Sequence, residues 1–245
     1  MRIIDAHEHL GSCRIFDAEL TADRLLSALD VHGIDTALVM PFPGAPDAAR
    51  AHDEIAALSD RTGGRVRGIV LFNPHVEPAH YAHEAERCVR ELRFVALKLH
   101  TVGHAVEPLS RDGRHVAETA ARLGVPLMVH TGGVGTPFAS PSHCLPLARA
   151  HPDTSIVLAH AGMGVATREA AVVAGEAENI YLETSWCPVL DTATLVAELG
   201  AERVMFGADA PENIPIELTK FRGLGLDAKA LERCLGGNAT RVFGL

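Results

Sequence analysis

Eight short β-rich apolar runs recur down the 245-residue chain, and the stretches between them carry helical periodicity. The runs are Arg2–Ala6, Thr36–Met40, Gly68–Phe72, Phe94–Leu99, Pro126–Val129, Ser155–Ala159, Ile180–Glu183 and Arg203–Phe206. Amphipathic stretches lie between them at Thr21–His32, Pro46–Thr62, Pro78–Leu92, Arg111–Leu123, Thr167–Ala177 and Thr192–Leu199, with a shorter one at Pro141–Ala150. Many of these end at a glycine, as at Gly33, Gly63, Gly124 and Gly200, which is where a helix stops. Strands joined by helices run parallel, and eight of them close most naturally into an α/β (β/α)8 TIM barrel. An open doubly wound sheet is the other possibility, but no G-x-G-x-x-G follows the first strand. Residues 1–245 therefore read as one domain. The helical tail Asp227–Leu245, broken at Gly236-Gly237-Asn238, is expected to cover the outside or close the bottom.

Aromatic residues make up 4% of the chain and apolar residues 47%, so the core has to be built from Ala, Val, Leu and Ile, which suits buried parallel strands. The net charge of −9 argues against nucleic acid or an anionic membrane surface as a partner, and leaves a small molecule. Five scattered cysteines without C-x-x-C spacing point to neither a disulfide framework nor a cysteine-type zinc site, hence to a reducing, cytoplasmic setting. No window approaches the roughly 20 apolar residues of a membrane span.

In a barrel of this kind the active site is assembled at the C-terminal ends of the strands. Those ends carry His7 and His9, Asn73, Lys98 and His100, His130, His160, Ser185 and Asp209. His7 and His9 lie two residues apart, so on a strand they share a face, and Glu8 points the other way. Each residue has a plainer reading as well. Asp209 fits a helix cap, the two single histidines fit hydrogen-bonded rim positions, and Lys98 fits an ion pair with Asp209 or Glu183. Their gathering on one rim favours chemistry. His32, His52, His80, His83, His104 and His115 fall elsewhere and read as solvated surface residues.

The segments Asp5-Ala6-His7-Glu8-His9, Ala96-Leu97-Lys98-Leu99-His100, Leu158-Ala159-His160-Ala161-Gly162, Gly207-Ala208-Asp209-Ala210-Pro211 and Gly236-Gly237-Asn238-Ala239-Thr240-Arg241 together resemble the amidohydrolase superfamily. Within it they resemble the amidohydrolase-related branch that includes aminocarboxymuconate-semialdehyde decarboxylase, aromatic-acid decarboxylases and lactone hydrolases. The resemblance runs from residue 2 to the end. It implies that His7, His9, His130 and Asp209 ligate one divalent metal, zinc or alternatively manganese, with a second metal left open. It also implies catalytic parts for Asp209 and for His160, the latter as a further ligand or as the histidine beside a metal-bound water. Lys98 and His100 stand where nucleases of the superfamily carry a glutamate, which lowers the odds of nuclease activity. A carboxylated lysine bridges two metals in binuclear members, so that Lys98 leaves this variant open. Members of the branch are often dimers, so a homodimer is an expectation too.

The substrate side reads less sharply. Arg14, Asn73, Lys98, His100 and Trp186 are candidate substrate contacts, with Phe16, Phe42, Phe138 and Cys187 as further walls; Arg14 would hold a carboxylate. The leading expectation is a hydrolase of a small amide, ester or lactone that uses a metal-activated water. The alternative is a metal-dependent, non-oxidative decarboxylase of an unsaturated or aromatic acid, and a catalytically silent metal-binding protein is the third.

Overall fold

The computed structural model describes residues 1–133 and 136–245; Val134 and Gly135, part of the expected loop Thr131–Ser142, lie outside the described residues. The strands are β1 (Ile4–Cys13), β2 (Ala18–Leu20), β3 (Thr36–Pro41), β4 (Val66–Val70), β5 (Ala96–Leu99), β6 (Leu127–His130), β7 (Ile156–Ala159), β8 (Ile180–Glu183) and β9 (Val204–Met205). The helices are α1 (Ala22–His32), α2 (Ala48–Arg61), α3 (Pro78–Arg90), α4 (Arg111–Leu123), α5 (Cys144–Ala150), α6 (Thr167–Gly175), α7 (Val189–Leu199), α8 (Ile214–Arg222), α9 (Ala228–Glu232) and α10 (Asn238–Phe243). Caps set several helix starts: the side chains of Thr21, Asp47, Ser110 and Asp227 each accept a main-chain N–H of the first turn.

The strands form one sheet in the order β2-β1-β3-β4-β5-β6-β7-β8-β9. All pairs are parallel except β1 with β2, an antiparallel hairpin that the sequence reading misses because Ala18–Leu20 has no apolar run. The expected closed barrel is corrected to a curled, nine-stranded, mostly parallel sheet. Among the described residues its two ends are joined by single main-chain hydrogen bonds and no ladder: Ala6 N–H donates to Phe206 O at 3.2 Å, and Asp209 N–H to His7 O at 2.6 Å. Only Val204 and Met205 remain as strand at that edge.

Alternation along the strands divides the core in two. Ala37, Val39, Leu97, Leu127, Leu158, Leu182 and Val204 face outward against the helices. Ile4, Ala6, Leu38, Met40, Ile69, Ala96, Met128, Val157 and Met205 fill the concave face, where Ala239, Val242 and Phe243 of α10 close the bottom. The tail is not broken at the glycines: Arg233–Gly237 form a π-helical turn between α9 and α10, and a Cβ on Gly236 would meet Arg2 O at 2.3 Å. Small residues let the tail seat on the start of β1.

His52 is a further correction, being completely buried and not at the surface. Its Nδ1–H donates to Glu84 Oε1 at 2.8 Å while its Nε2 accepts Leu71 N–H at 3.3 Å, so partners compensate the burial. Burial raises the Glu84 carboxyl, but the hydrogen bonds from His52 and Arg87 outweigh it and bring the value down to about 2. An unfolded glutamate titrates near ~4.3, so this carboxylate stabilises the fold above that pH and the contribution is lost as pH falls towards 2. Melting temperatures taken from about pH 5 to about pH 3 should therefore fall more steeply for the wild type than for Glu84→Gln. Parallel slopes would refute the assignment.

Candidate active site

The two leading histidines reach the concave face through a bulge. Ile4 and Ala6 face inward, and so do His7 and His9, which strict alternation forbids. The register with β3 shifts between Asp5 and Glu8, inserting one residue. Asp5 Oδ1 accepts the His7 N–H at 3.1 Å and the Ala208 N–H at 3.0 Å, satisfying the irregular backbone at both sheet ends. Burial pushes the Asp5 carboxyl up to about 8 and raises its neighbour Glu8 as well. Glu8 is completely buried, next to Asp5.

Hydrogen-bond partners assign the histidine tautomers. His7 Nδ1–H donates to Glu183 Oε2 at 2.9 Å and His9 Nδ1–H to Pro41 O at 2.9 Å, so each Nε2 carries a lone pair. Ser185 Oγ–H donates to Glu183 Oε2 at 3.0 Å, and its oxygen accepts His160 Nδ1–H at 2.8 Å, leaving His160 Nε2 bare as well. Asp209 Oδ1 lies 3.2 Å from His7 Nε2 and 3.3 Å from His9 Nε2. These are acceptors facing acceptors. Ligand atoms of His7, His160 and Asp209 all lie within 4.8 Å of one another.

Such a set is built around a cation. Neutral imidazoles and one carboxylate are a chemically sound donor set for zinc or manganese, and the acceptor contacts become favourable once a divalent ion sits among them. The chain itself supplies Lys98, whose ammonium donates to His7 Nε2 at 3.1 Å. Burial drives Lys98 down to about 8, against the pull of Asp209 and Glu183. Neither of those carboxylates forms an ion pair with it among the described residues, so the sequence-level expectation of a structural pair is replaced by this contact. Burial and Lys98 lower His7, and burial lowers His160 to about 4, so both imidazoles are neutral and able to ligate near pH 7. At Asp209 burial raises the carboxyl, but His7 and His160 outweigh it and hold it well below the usual range.

The remaining candidates divide. His130 stands beside His160, ring centroids 4.6 Å apart, and stacks on His100 at 4.5 Å; its side chain has no hydrogen bond among the described residues. His100 Nδ1 accepts Gly103 N–H at 3.0 Å, which puts its ring proton on Nε2. Phe42 stacks on His9 at 4.8 Å and Phe16 lies 6.2 Å from His100, so aromatic faces border the histidines. Trp186 donates its indole N–H to Asp209 Oδ2 at 2.7 Å. Arg14 is exposed in the β1–β2 turn with no side-chain hydrogen bond or ion pair among the described residues. Asn73 is exposed too, its Oδ1 taken up by His75 N–H. The structure brings neither of them to the histidine centre.

Glu183 is the residue that sequence reasoning missed. Its two oxygens accept from His7 Nδ1, Ser185 Oγ, Ser185 N and His160 N, so one fully buried carboxyl orients a histidine of β1 and the histidine that follows β7. Gly207 makes room for it, since a Cβ there would meet Glu183 Oε1 at 2.7 Å. The available signal was an ionisable residue ending an apolar strand. Backbone strain gathers in the same place, with φ of 65° at His160, 64° at Trp186 and 67° at Asp209.

Residues 14–245 match the family model described as Amidohydrolase. The chain belongs to the amidohydrolase family. Among curated relatives of this amidohydrolase, the gamma-resorcylate decarboxylase of Polaromonas sp. strain JS666 is 26% identical over 91% of this chain and 87% of that protein. The enamidase of Eubacterium barkeri is 25% identical over 99% of this chain and 67% of its own length. Among solved structures, a dihydroxybenzoic acid decarboxylase from Polaromonas sp. JS666, with bound manganese and the inhibitor 2-nitroresorcinol, has a TM-score of 0.79 and 22% identity, covering 100% of this chain and 97% of that one. These matches overturn the leading expectation of a small-molecule hydrolase: gamma-resorcylate decarboxylase is matched over 91% of this chain and 87% of its own length, and several of the similar solved structures are decarboxylases.

Proposed function

We propose that this amidohydrolase is a divalent-metal-dependent, non-oxidative decarboxylase of a small aromatic carboxylic acid. The observation that carries the reading is its 26% identity to gamma-resorcylate decarboxylase over 91% of the chain, joined to a histidine-carboxylate centre suited to one metal ion. His7, His9 and Asp209 would hold the ion, with an imidazole of the His130 and His160 pair completing the set. Manganese is the ion bound in the similar Polaromonas structure. When bound, the metal supplies a Lewis acid that draws charge from a substrate oxygen.

The chemistry requires the bond between ring carbon and carboxylate to break, its electron pair to return to the ring carbon, a proton to arrive there, and carbon dioxide to leave. Asp209 is the proton carrier in this reading. Its side chain is 23% exposed, so a proton from solvent can pass through it transiently although the carboxylate is the stable form, whereas Asp5, Glu8 and Glu183 are sealed. The His100 Nε2–H supplies a donor for a substrate oxygen, and where His130 completes the metal set His160 Nε2 is left as an acceptor for a substrate hydroxyl. Phe16 and Phe42 offer faces against which an aromatic ring packs.

Manganese-loaded protein assayed on a panel of hydroxybenzoates, esters and lactones should convert 2,6-dihydroxybenzoate or a related acid to the phenol with release of carbon dioxide. Turnover of esters or lactones with no hydroxybenzoate consumed would overturn the proposal.

A further inference from the structure

The loop Thr184–Cys187 after β8 is held by a device for which the centre described above gives no reason. Lys220 and Glu217, one turn apart on α8, form an ion pair that is almost wholly buried. Lys220 Nζ also donates to Thr184 O at 2.7 Å and Cys187 O at 3.1 Å, so the pair and the loop take up all three of its protons. Glu217 Oε1 accepts Trp186 N–H at 3.0 Å and Asn213 Nδ2–H at 3.3 Å. A buried pair contributes little net stability against an apolar replacement of the same volume, so its retention points to specificity of arrangement. What it arranges is the backbone from Thr184 to Cys187, held at three of its peptide units.

That backbone carries Trp186 in the left-handed region, φ 64°, which a bulky side chain adopts only when its surroundings force it. The indole is 46% exposed, yet its N–H is spent on Asp209 Oδ2. With Oδ2 held there, Oδ1 is the oxygen left to meet His7 and His9. The same loop presents Ser185 to His160 and Glu183, and Cys187 Sγ–H donates to His160 O at 2.9 Å. We infer that Trp186 is a positioning residue which orients the Asp209 carboxylate, and that the buried Glu217–Lys220 pair of α8 latches the loop so that it can do so. This goes deeper into the decarboxylase reading and rests on it for its catalytic consequence, but the latch itself does not depend on metal or substrate.

Trp186 is the sole tryptophan, so a nitrogen–proton correlation spectrum contains one indole signal. On the full chain stripped with chelator, that proton should exchange with water at least about ten-fold more slowly in the wild type than in the double variant Glu217→Leu/Lys220→Met, whose apolar pair preserves the fold. Exchange at the rate of a free indole in the wild type, or equal protection in both, overturns the latch. On Mn²⁺-loaded protein, Trp186→Phe keeps an aromatic side chain and removes the indole donor. It should lower kcat and weaken Mn²⁺ binding by about 10–100-fold with KM near the wild-type value. Unchanged kcat and Mn²⁺ affinity would overturn the positioning role. If the chain binds no Mn²⁺ and turns over no acid, the decarboxylase reading fails while the exchange comparison still decides the latch.

Discussion

Asp209→Asn is expected to lower kcat by about 10²–10⁴-fold, the range attributable to a general acid or base. The substitution is isosteric and leaves the main chain intact, so the bond from Asp209 N–H to His7 O that joins the two ends of the sheet survives. An amide oxygen still accepts the indole N–H of Trp186. What disappears is a carboxyl that can carry a proton between solvent and the ring carbon, and the anion that faces His7 and His9 Nε2. Metal affinity should fall with it, so kcat is to be measured at saturating Mn²⁺. A variant that retains wild-type kcat there would assign the proton to another group.

Glu183→Ala should be the most damaging single change to the fold near the site. Four buried donors from His7, His160 and Ser185 lose their acceptor at once. Each buried donor left without an acceptor typically costs about 1–3 kcal/mol, so the total loss is on the order of several kcal/mol. For a chain of this length that corresponds to a fall of roughly 10 °C in melting temperature. Glu183→Gln keeps the volume and some acceptor capacity, so its stability should fall less, while loss of tautomer control at His7 should still weaken metal binding about 10–100-fold. A melting temperature for Glu183→Ala within about 2 °C of the wild type would contradict the hub role.

The fold was legible wherever one element could be read alone. Alternating or continuous apolar runs located β3 to β9 within a few residues, and α1 and α4 begin and end at the residues their caps and glycines indicate. Closure of the sheet was not legible, because whether Val204–Met205 ladders with β1 depends on how two ends 200 residues apart approach. The bulge in β1 escaped for a related reason. Its stabiliser, Asp5, bonds Ala208 across the whole chain.

Within the site, residue types at strand ends identified His7, His9, Lys98, His100, His130, His160 and Asp209, and the structure gathers these on the concave face. Positions placed in loops read less well: Arg14 and Asn73 follow strands in sequence, but both side chains are exposed, and Asn73 Oδ1 is taken up within its own turn by His75 N–H. Ser185 was placed on the rim by its strand end, but the orienting roles of Glu183 and of the Glu217–Lys220 pair were invisible for a physical reason. They act through contacts between distant segments, and no local pattern marks a carboxylate that will receive four donors. His52 illustrates the converse, a histidine on a helical pattern that is buried because Glu84 meets it from the next helix.

The central claim is that one divalent ion, held at this centre, enables loss of a carboxylate from an aromatic ring. Protein stripped with chelator and titrated with Mn²⁺, while carbon dioxide release from 2,6-dihydroxybenzoate and related acids is followed, tests it most directly. Activity should rise from none and saturate at one ion per chain. Full activity in the stripped protein, or no carbon dioxide released at saturation, would contradict it.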